Sequence, residues 1–113
     1  MDPKLLAGTL DLLILEAVAP ARSYGYAIAQ HVKAASHERI LLKEGSLYPA
    51  LHKLERAGLL RAEWGEAAGR RRKYYAITAQ GREVLATKKQ AWATFSAGMS
   101  AVLGTPQPTA EAV

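Results

Sequence analysis

Apolar residues change their spacing along this chain in an order that predicts three short helices, a hairpin and one long helix. Between Glu44 and Gly58, Leu47, Ala50, Leu51 and Leu54 recur at i, i+3, i+4 and i+7, the spacing of a helix with one packed side. Ser46, Tyr48, Pro49, His52, Lys53 and Arg56 fall mainly off that stripe and make a polar, mostly basic face. Ser46 is expected to cap this helix, with Pro49 in the first turn, where a missing N–H has no intrahelical partner to lose. Gly58 suits the left-handed position just past its end.

Upstream, Thr9 to Val18 reads as a helix capped by Thr9, with Asp11 near its positive end. Its apolar residues Leu10, Leu12, Leu13, Ile14, Leu15 and Val18 point nearly all round. Such a helix must be covered on more than one side, either by a second protomer or by a fully central place in its own domain. Pro20 to Ser23 reads as a turn, with Ser23 capping a second helix through Gly25, Ile28 and Val32 to about Ala35. Ile40-Leu41-Leu42 then leads into the basic helix, an arrangement compatible with a helix-turn-helix.

Downstream, Leu59 to Trp64 alternates apolar with polar, and Lys73 to Thr78 is also strand-like. The residues between them, 65–72, are expected to form a Gly-containing hairpin loop. Thr78 is placed to cap a last helix with Gly81 in its first turn, running to about Leu103 and so roughly 37 Å long. Leu85, Trp92 and Met99 are seven apart, Phe95 and Val102 fall at intervening heptad positions, and Lys88 interrupts the series. Together with Leu12 and Leu15 these residues are the expected dimerisation surface; packing of the helix across its own domain is the competing reading. Residues 104–113, with two prolines and little apolar content, are expected to be a disordered tail.

With 113 residues, half of them hydrophobic, the chain has the size of one domain with a modest core. Lysine and arginine outnumber aspartate and glutamate by 15 to 10, which favours a polyanionic partner such as nucleic acid. The absence of cysteine excludes disulfides, thiolate catalysis and Cys-type zinc sites. Lys4, the apolar run from Leu5 and Ala17-Val18-Ala19 superficially imitate a secretory signal. Asp11 and Glu16 interrupt that run, which is also too short for a membrane span, so a soluble cytoplasmic protein is expected.

The charge is concentrated where it bears on partner choice, because Arg70, Arg71, Arg72 and Lys73 are consecutive and follow the basic helix through the hairpin. A helix with hydroxyls, a proline, His52 and Lys53 on its outer side is suited to a DNA major groove. A cationic hairpin directly after it would lie on phosphates or in a minor groove, as in a winged helix-turn-helix. Taken singly, an ordinary amphipathic surface helix and a solvated charge run explain the two segments as well. Their succession is what favours the mainly α, winged fold with a long C-terminal helix. Double-stranded DNA is the expected partner through Ser46, Tyr48, Pro49, His52, Lys53, Arg70, Arg71, Arg72 and Lys73.

Gly8-Thr9-Leu10-Asp11-Leu12-Leu13-Ile14-Leu15, Gly25-Tyr26 and the string Glu44-Gly45-Ser46-Leu47-Tyr48-Pro49-Ala50-Leu51-His52-Lys53-Leu54-Glu55 carry a resemblance. So do Gly58-Leu59, Trp64, Arg70-Arg71, Lys73-Tyr74-Tyr75, Thr78, Gly81-Arg82 and Trp92. Over about residues 5–103 the chain resembles a short member of the PadR family of bacterial transcriptional regulators. The resemblance implies a homodimeric winged helix-turn-helix repressor of an inverted-repeat operator, with residues 1–78 binding DNA and residues 79–103 a helix packed on the partner protomer. It also implies control by a small aromatic effector, with Trp92 the candidate lining residue; an aromatic that only packs is the other reading of Trp92. The chain departs from the family pattern at Tyr24, often histidine, and in the wing at Gly69 and Arg72, commonly asparagine and alanine. Arg72 adds phosphate attraction, and Gly69 removes any loop-bracing hydrogen bond that an asparagine would make.

An enzyme finds little support, since His31, His37 and His52 have no metal-ligand spacing and no evident acid partner. No glycine-rich phosphate loop or metal motif calls for a cofactor. A basic winged module for RNA or protein interaction is the alternative.

Overall fold

The computed structural model describes residues 8–106. In chain order these form α1 (Leu10–Val18), β1 (Ser23–Tyr24), α2 (Gly25–Ala35), α3 (Glu44–Arg56), β2 (Leu60–Ala67), β3 (Arg70–Ile77) and α4 (Ala79–Leu103). The three strands make one antiparallel sheet in the order β1-β3-β2. All four helices and the sheet contribute to one core, in which Ile14, Leu15, Ile28, Leu47, Leu51, Leu54 and Tyr75 are essentially inaccessible to solvent. The expected mainly α fold with a wing is therefore the observed one.

Several boundaries differ from the sequence reading for identifiable reasons. Ser23 does not cap α2; with Tyr24 it forms β1, pairing with Tyr75 and Tyr74 of β3, and Tyr24 stands at the N-cap. Nor does Ser46 cap α3. That helix starts at Glu44, its first turn closed by Ser46 and Leu47 N–H groups donating to the Lys43 carbonyl at 3.0 and 2.8 Å. Pro49 is consequently inside the helix rather than in its first turn, and it has no N–H for the Gly45 carbonyl. Both residues are exposed, so water can donate to that carbonyl in place of the missing N–H. At the other end Gly58, at φ 78°, occupies the expected left-handed position. Its N–H donates to Glu55 and that of Leu59 to Leu54, the paired bonds of a Schellman stop.

A compact junction then fixes α4 to the end of α3. The Thr78 hydroxyl donates to the Gly58 carbonyl at 2.7 Å and accepts from the Gly81 N–H at 3.0 Å, while the Thr78 N–H donates to Leu59 at 3.1 Å. Thr78 is thus the cap expected of it and also a strut between two helices. Gly81 is buried against Leu59 and Ile77. Gly104, at φ 72°, ends the helix. Of the expected tail, residues 107–113 lie outside the described residues.

Candidate nucleic-acid interface

The apolar stripe of α3 (Leu47, Ala50, Leu51, Leu54) is buried, which forces the rest of that helix outward. Ser46, Tyr48, Pro49, His52, Lys53 and Arg56 are all exposed. The Tyr48 ring is backed by the start of α2, where a Cβ on Gly25 would stand 2.6 Å from the Tyr48 hydroxyl. A side chain at Gly25 would therefore displace the Tyr48 ring. Lys53 is not a free cation: its ammonium lies 2.9 Å from Asp11 of α1.

The wing is longer than its sequence suggests. β2 and β3 run in register from Leu60↔Ile77 to Ala67↔Arg70, leaving a two-residue turn of Ala68 (φ 53°) and Gly69 (φ 75°). Positive φ at both central residues is the hairpin geometry that matches strand twist. Asparagine tolerates that region as glycine does, so Gly69 serves the turn without a bracing side chain. Arg70 to Lys73 therefore lie on a strand, not on a loop tip, and alternate between its faces.

Each of these cations has a different neighbour. Arg70 is exposed beside the turn. The Arg71 guanidinium lies 4.2 Å from the centroid of the exposed Trp64 ring, and that of Arg72 lies 4.8 Å from the Tyr24 ring. Lys73 is 3.3 Å from Glu55, an ion pair that ties the wing to α3. Burial works to lower the Lys73 pKa, but the hydrogen bond and charge of Glu55, with Tyr75, outweigh it and raise the pKa above the ordinary 10.5. On the face that Arg72 shares, Arg22 lies 4.3 Å from the Tyr74 ring and 3.7 Å from Glu63, while Tyr74 meets Tyr24 edge-on.

A cleft of about 260 Å³ opens between these elements. Tyr24 and Gly25 supply one wall, Tyr48 and His52 of α3 a second, and Arg71, Arg72, Lys73 and Tyr75 of β3 the third. Five of the nine residues read as DNA contacts thus meet in one place. Ser46, Pro49, Lys53 and Arg70 do not line it. Tyr24, Gly25 and Tyr75 were not among the residues expected there; pairing of β1 with β3, which no periodicity marks, brings them to the cleft.

Along α4 the expected heptad divides in two. Leu85 is only 7% exposed and packs into the protomer's own core, as does Leu15 at 0%, so neither can offer surface to a partner as expected from sequence. Leu12 is partly buried against that core. Beyond Leu85, Trp92 (48% exposed), Phe95 (60%), Met99, Val102 and the unanticipated Leu103 form an open apolar stripe. Trp92 and Phe95 touch, with ring centroids 6.1 Å apart. The first half of α4 is held to α1 by Lys89 with Glu16 at 3.2 Å and by Arg82 donating to the Ala19 carbonyl at 3.1 Å. Among the described residues no group of three potential metal ligands occurs, and no helix is long and apolar enough to cross a membrane.

Residues 14–87 match the sequence profile of the family described as "Transcriptional regulator PadR-like family". An uncharacterized protein of Lysinibacillus sphaericus is 32% identical over 90 residues, spanning 79% of this chain and 83% of that one. Among solved structures, a transcriptional regulator from Clostridium thermocellum superposes with a TM-score of 0.79 at 30% identity, covering 86% of this chain and 95% of that chain. A PadR family transcription regulator from Clostridium difficile gives 0.73 at 34% identity over 85% and 99% of the two chains. A PadR-like transcriptional regulator from Bacillus cereus gives 0.78 at 29% identity over 91% and 99%.

Proposed function

This chain belongs to the PadR-like family of transcriptional regulators, and on that premise we propose that it is a cytoplasmic homodimeric repressor of an inverted-repeat operator. The family's members are DNA-binding regulators rather than enzymes. The observation that carries the reading is that the outward residues of α3 and the cations of β3 converge on one cleft. In it, Tyr48 and His52 enter the major groove from α3, with Ser46, Pro49 and Lys53 beside them, while the wing cations take the adjacent backbone or minor groove. Residues 1–78 are the DNA-binding unit and residues 79–103 the dimerisation helix.

The apolar stripe on the far half of α4 supports a second protomer. Trp92, Phe95, Met99 and Val102 remain exposed in one chain, and pairing two such helices removes them from water. Two-fold pairing presents two wings and two α3 helices to half-sites about one helical turn apart, and avidity then raises operator affinity over that of one half-site. A small aromatic effector received beside Trp92, between the paired helices, would release the DNA by changing that pairing.

Titration of a labelled inverted-repeat duplex, footprinted upstream of the protein's own gene, against a random duplex and a structured RNA tests this reading. Preference for the inverted repeat, with one dimer bound per site, is the expected result. Equal or tighter binding of RNA would replace it with a general nucleic-acid module.

A further inference from the structure

Helix α3 is gripped on its two flanks by ion pairs of opposite polarity. We propose that Lys53 is a positioning residue rather than a DNA ligand: held by Asp11 of α1, it fixes the roll of α3 about its own axis and so decides which outward side chains of that helix meet the bases. This rests on the DNA-binding reading above and narrows it, since Lys53 then stands beside the major-groove residues without taking a phosphate itself.

Lys53 and Glu55 are two residues apart and therefore about 200° apart around the helix. One flank carries the Lys53 ammonium, 2.9 Å from Asp11, and the other carries the Glu55 carboxylate, 3.3 Å from Lys73 of the wing. The buried stripe of Leu47, Ala50, Leu51 and Leu54 decides only which side of α3 faces inward. Such a stripe is broad and tolerates small rolls, whereas rolling in either direction carries both charges away from their partners. The two pairs therefore select one orientation within the range that the core allows.

Asp11 is a fixed point for Lys53 to pull against. Ile14, Leu15 and Val18 of the same short helix are buried in the core, and Glu16 with Lys89 at 3.2 Å and the Ala19 carbonyl with Arg82 at 3.1 Å hold α1 to α4. The Asp11 carboxylate lies in the first turn of α1, where the positive end of the helix favours its charged form. Its side chain is 23% exposed against 60% for that of Lys53, so the acid is recessed and the lysine reaches to it. A phosphate that drew Lys53 away would strand that recessed carboxylate without its cation. The cleft agrees with this placement, for it gathers Tyr48 and His52 from α3 but not Lys53. Because α1 is also fastened to α4, the pair refers the recognition face of α3 to the helix proposed to join the protomers, and not to the wing alone.

The test measures affinity for the inverted-repeat duplex footprinted upstream of the protein's own gene and for a random duplex, by anisotropy across a salt series. The proteins are wild type, Asp11→Asn, Lys53→Gln, Lys53→Arg and the double variant Asp11→Asn with Lys53→Gln. Asp11→Asn and Lys53→Gln should each lower the ratio of the two affinities by roughly two- to fivefold, the most by which one exposed ion pair biases an orientation. The double variant should fall no further than the lower single one, because both changes remove the same pair. Lys53→Arg keeps a cation for Asp11 and should keep the ratio. On the random duplex Lys53→Gln should leave the log–log salt slope as in wild type, where loss of a phosphate ligand would flatten it by about 0.9. A ratio unmoved by Asp11→Asn, or a slope flattened that far by Lys53→Gln, would overturn the positioning role. Should Asp11→Asn fail to fold, wild type decides alone: scalar coupling between the Lys53 ammonium and the Asp11 carboxylate should persist when random duplex is bound, and its loss on binding would overturn the role equally. A wild type with no preference for the inverted repeat would instead refute the operator-binding reading.

Discussion

Replacing Gly81 with alanine sets local preference against tertiary packing in a single side chain. Glycine inside a helix costs about 1 kcal/mol relative to alanine, so on local grounds the change should stabilise α4. Its surroundings give the opposite sign. A Cβ at Gly81 would stand 2.2 Å from the Leu59 carbonyl oxygen and 2.8 Å from Ile77 Cγ1, where ordinary contact begins near 3.4 Å. Relief requires the start of α4 to withdraw by about 1 Å, and the obstacle is backbone, which cannot rotate aside. That withdrawal stretches the bonds from Thr78 to Gly58 at 2.7 Å and to Leu59 at 3.1 Å. Two such bonds are worth about 1 kcal/mol each and overpacking adds roughly 1–3 kcal/mol. Set against the helical gain, the expected net loss is about 2–4 kcal/mol, or roughly 8–17 °C in Tm for a domain of this size. Urea unfolding followed by far-UV circular dichroism at fixed protomer concentration measures it. Gly98 lies on the same helix with nothing within 4 Å of its built Cβ, so Gly98→Ala should gain about 0.5–1 kcal/mol. If Gly81→Ala matched or exceeded the wild type in stability, the close approach of α4 to Leu59 would be refuted.

Ala68 holds φ 53° at the wing turn, so Ala68→Asn should gain about 0.5 kcal/mol in the same unfolding assay, whereas Ala68→Val should lose stability. Because its pKa is raised in the fold, Lys73 adds stability that is complete below the ordinary lysine value of 10.5 and is lost as pH climbs through the folded value. Glu55→Gln should therefore blunt the alkaline fall in Tm, and at neutral pH should cost no more than about 1 kcal/mol, the pair being about one-third exposed. Trp92→Glu should give monomers in sedimentation velocity with the single-chain fold intact, and should weaken operator binding; an undiminished dimer would remove the far half of α4 from the interface.

Legibility varied with how local each feature is. The buried stripe of α3, the Gly58 stop, the Thr78 cap and the span of α4 each depend on residues within a few positions of one another, and each was readable. The hairpin was readable too, but its length was not. Ala68 is no turn signal, so the arginine run looked like loop, although pairing from Leu60↔Ile77 outward carries it into the strand. β1 is two residues long, too short for any periodicity, and exists because β3 offers it an edge. The Ser46 cap failed for a related reason. Burial of Leu42 and Leu47 on either side of Lys43 brings the chain into helix one turn earlier than the serine would by itself.

The sequence by itself settled the family, the kinds of element and their order, because periodicity, caps and a distinctive string are properties of neighbouring residues. Tertiary structure decided how equivalent-looking residues divide their work. Leu85 and Trp92 occupy the same heptad position, yet the first is buried in the protomer's own core and the second is left open. Likewise Lys53 and Lys73 are spent on Asp11 and Glu55, while Arg72 keeps an unpartnered donor in a cleft shared by three elements. Charge and hydrophobicity belong to single residues, but the neighbour that uses them is set by how distant segments pack.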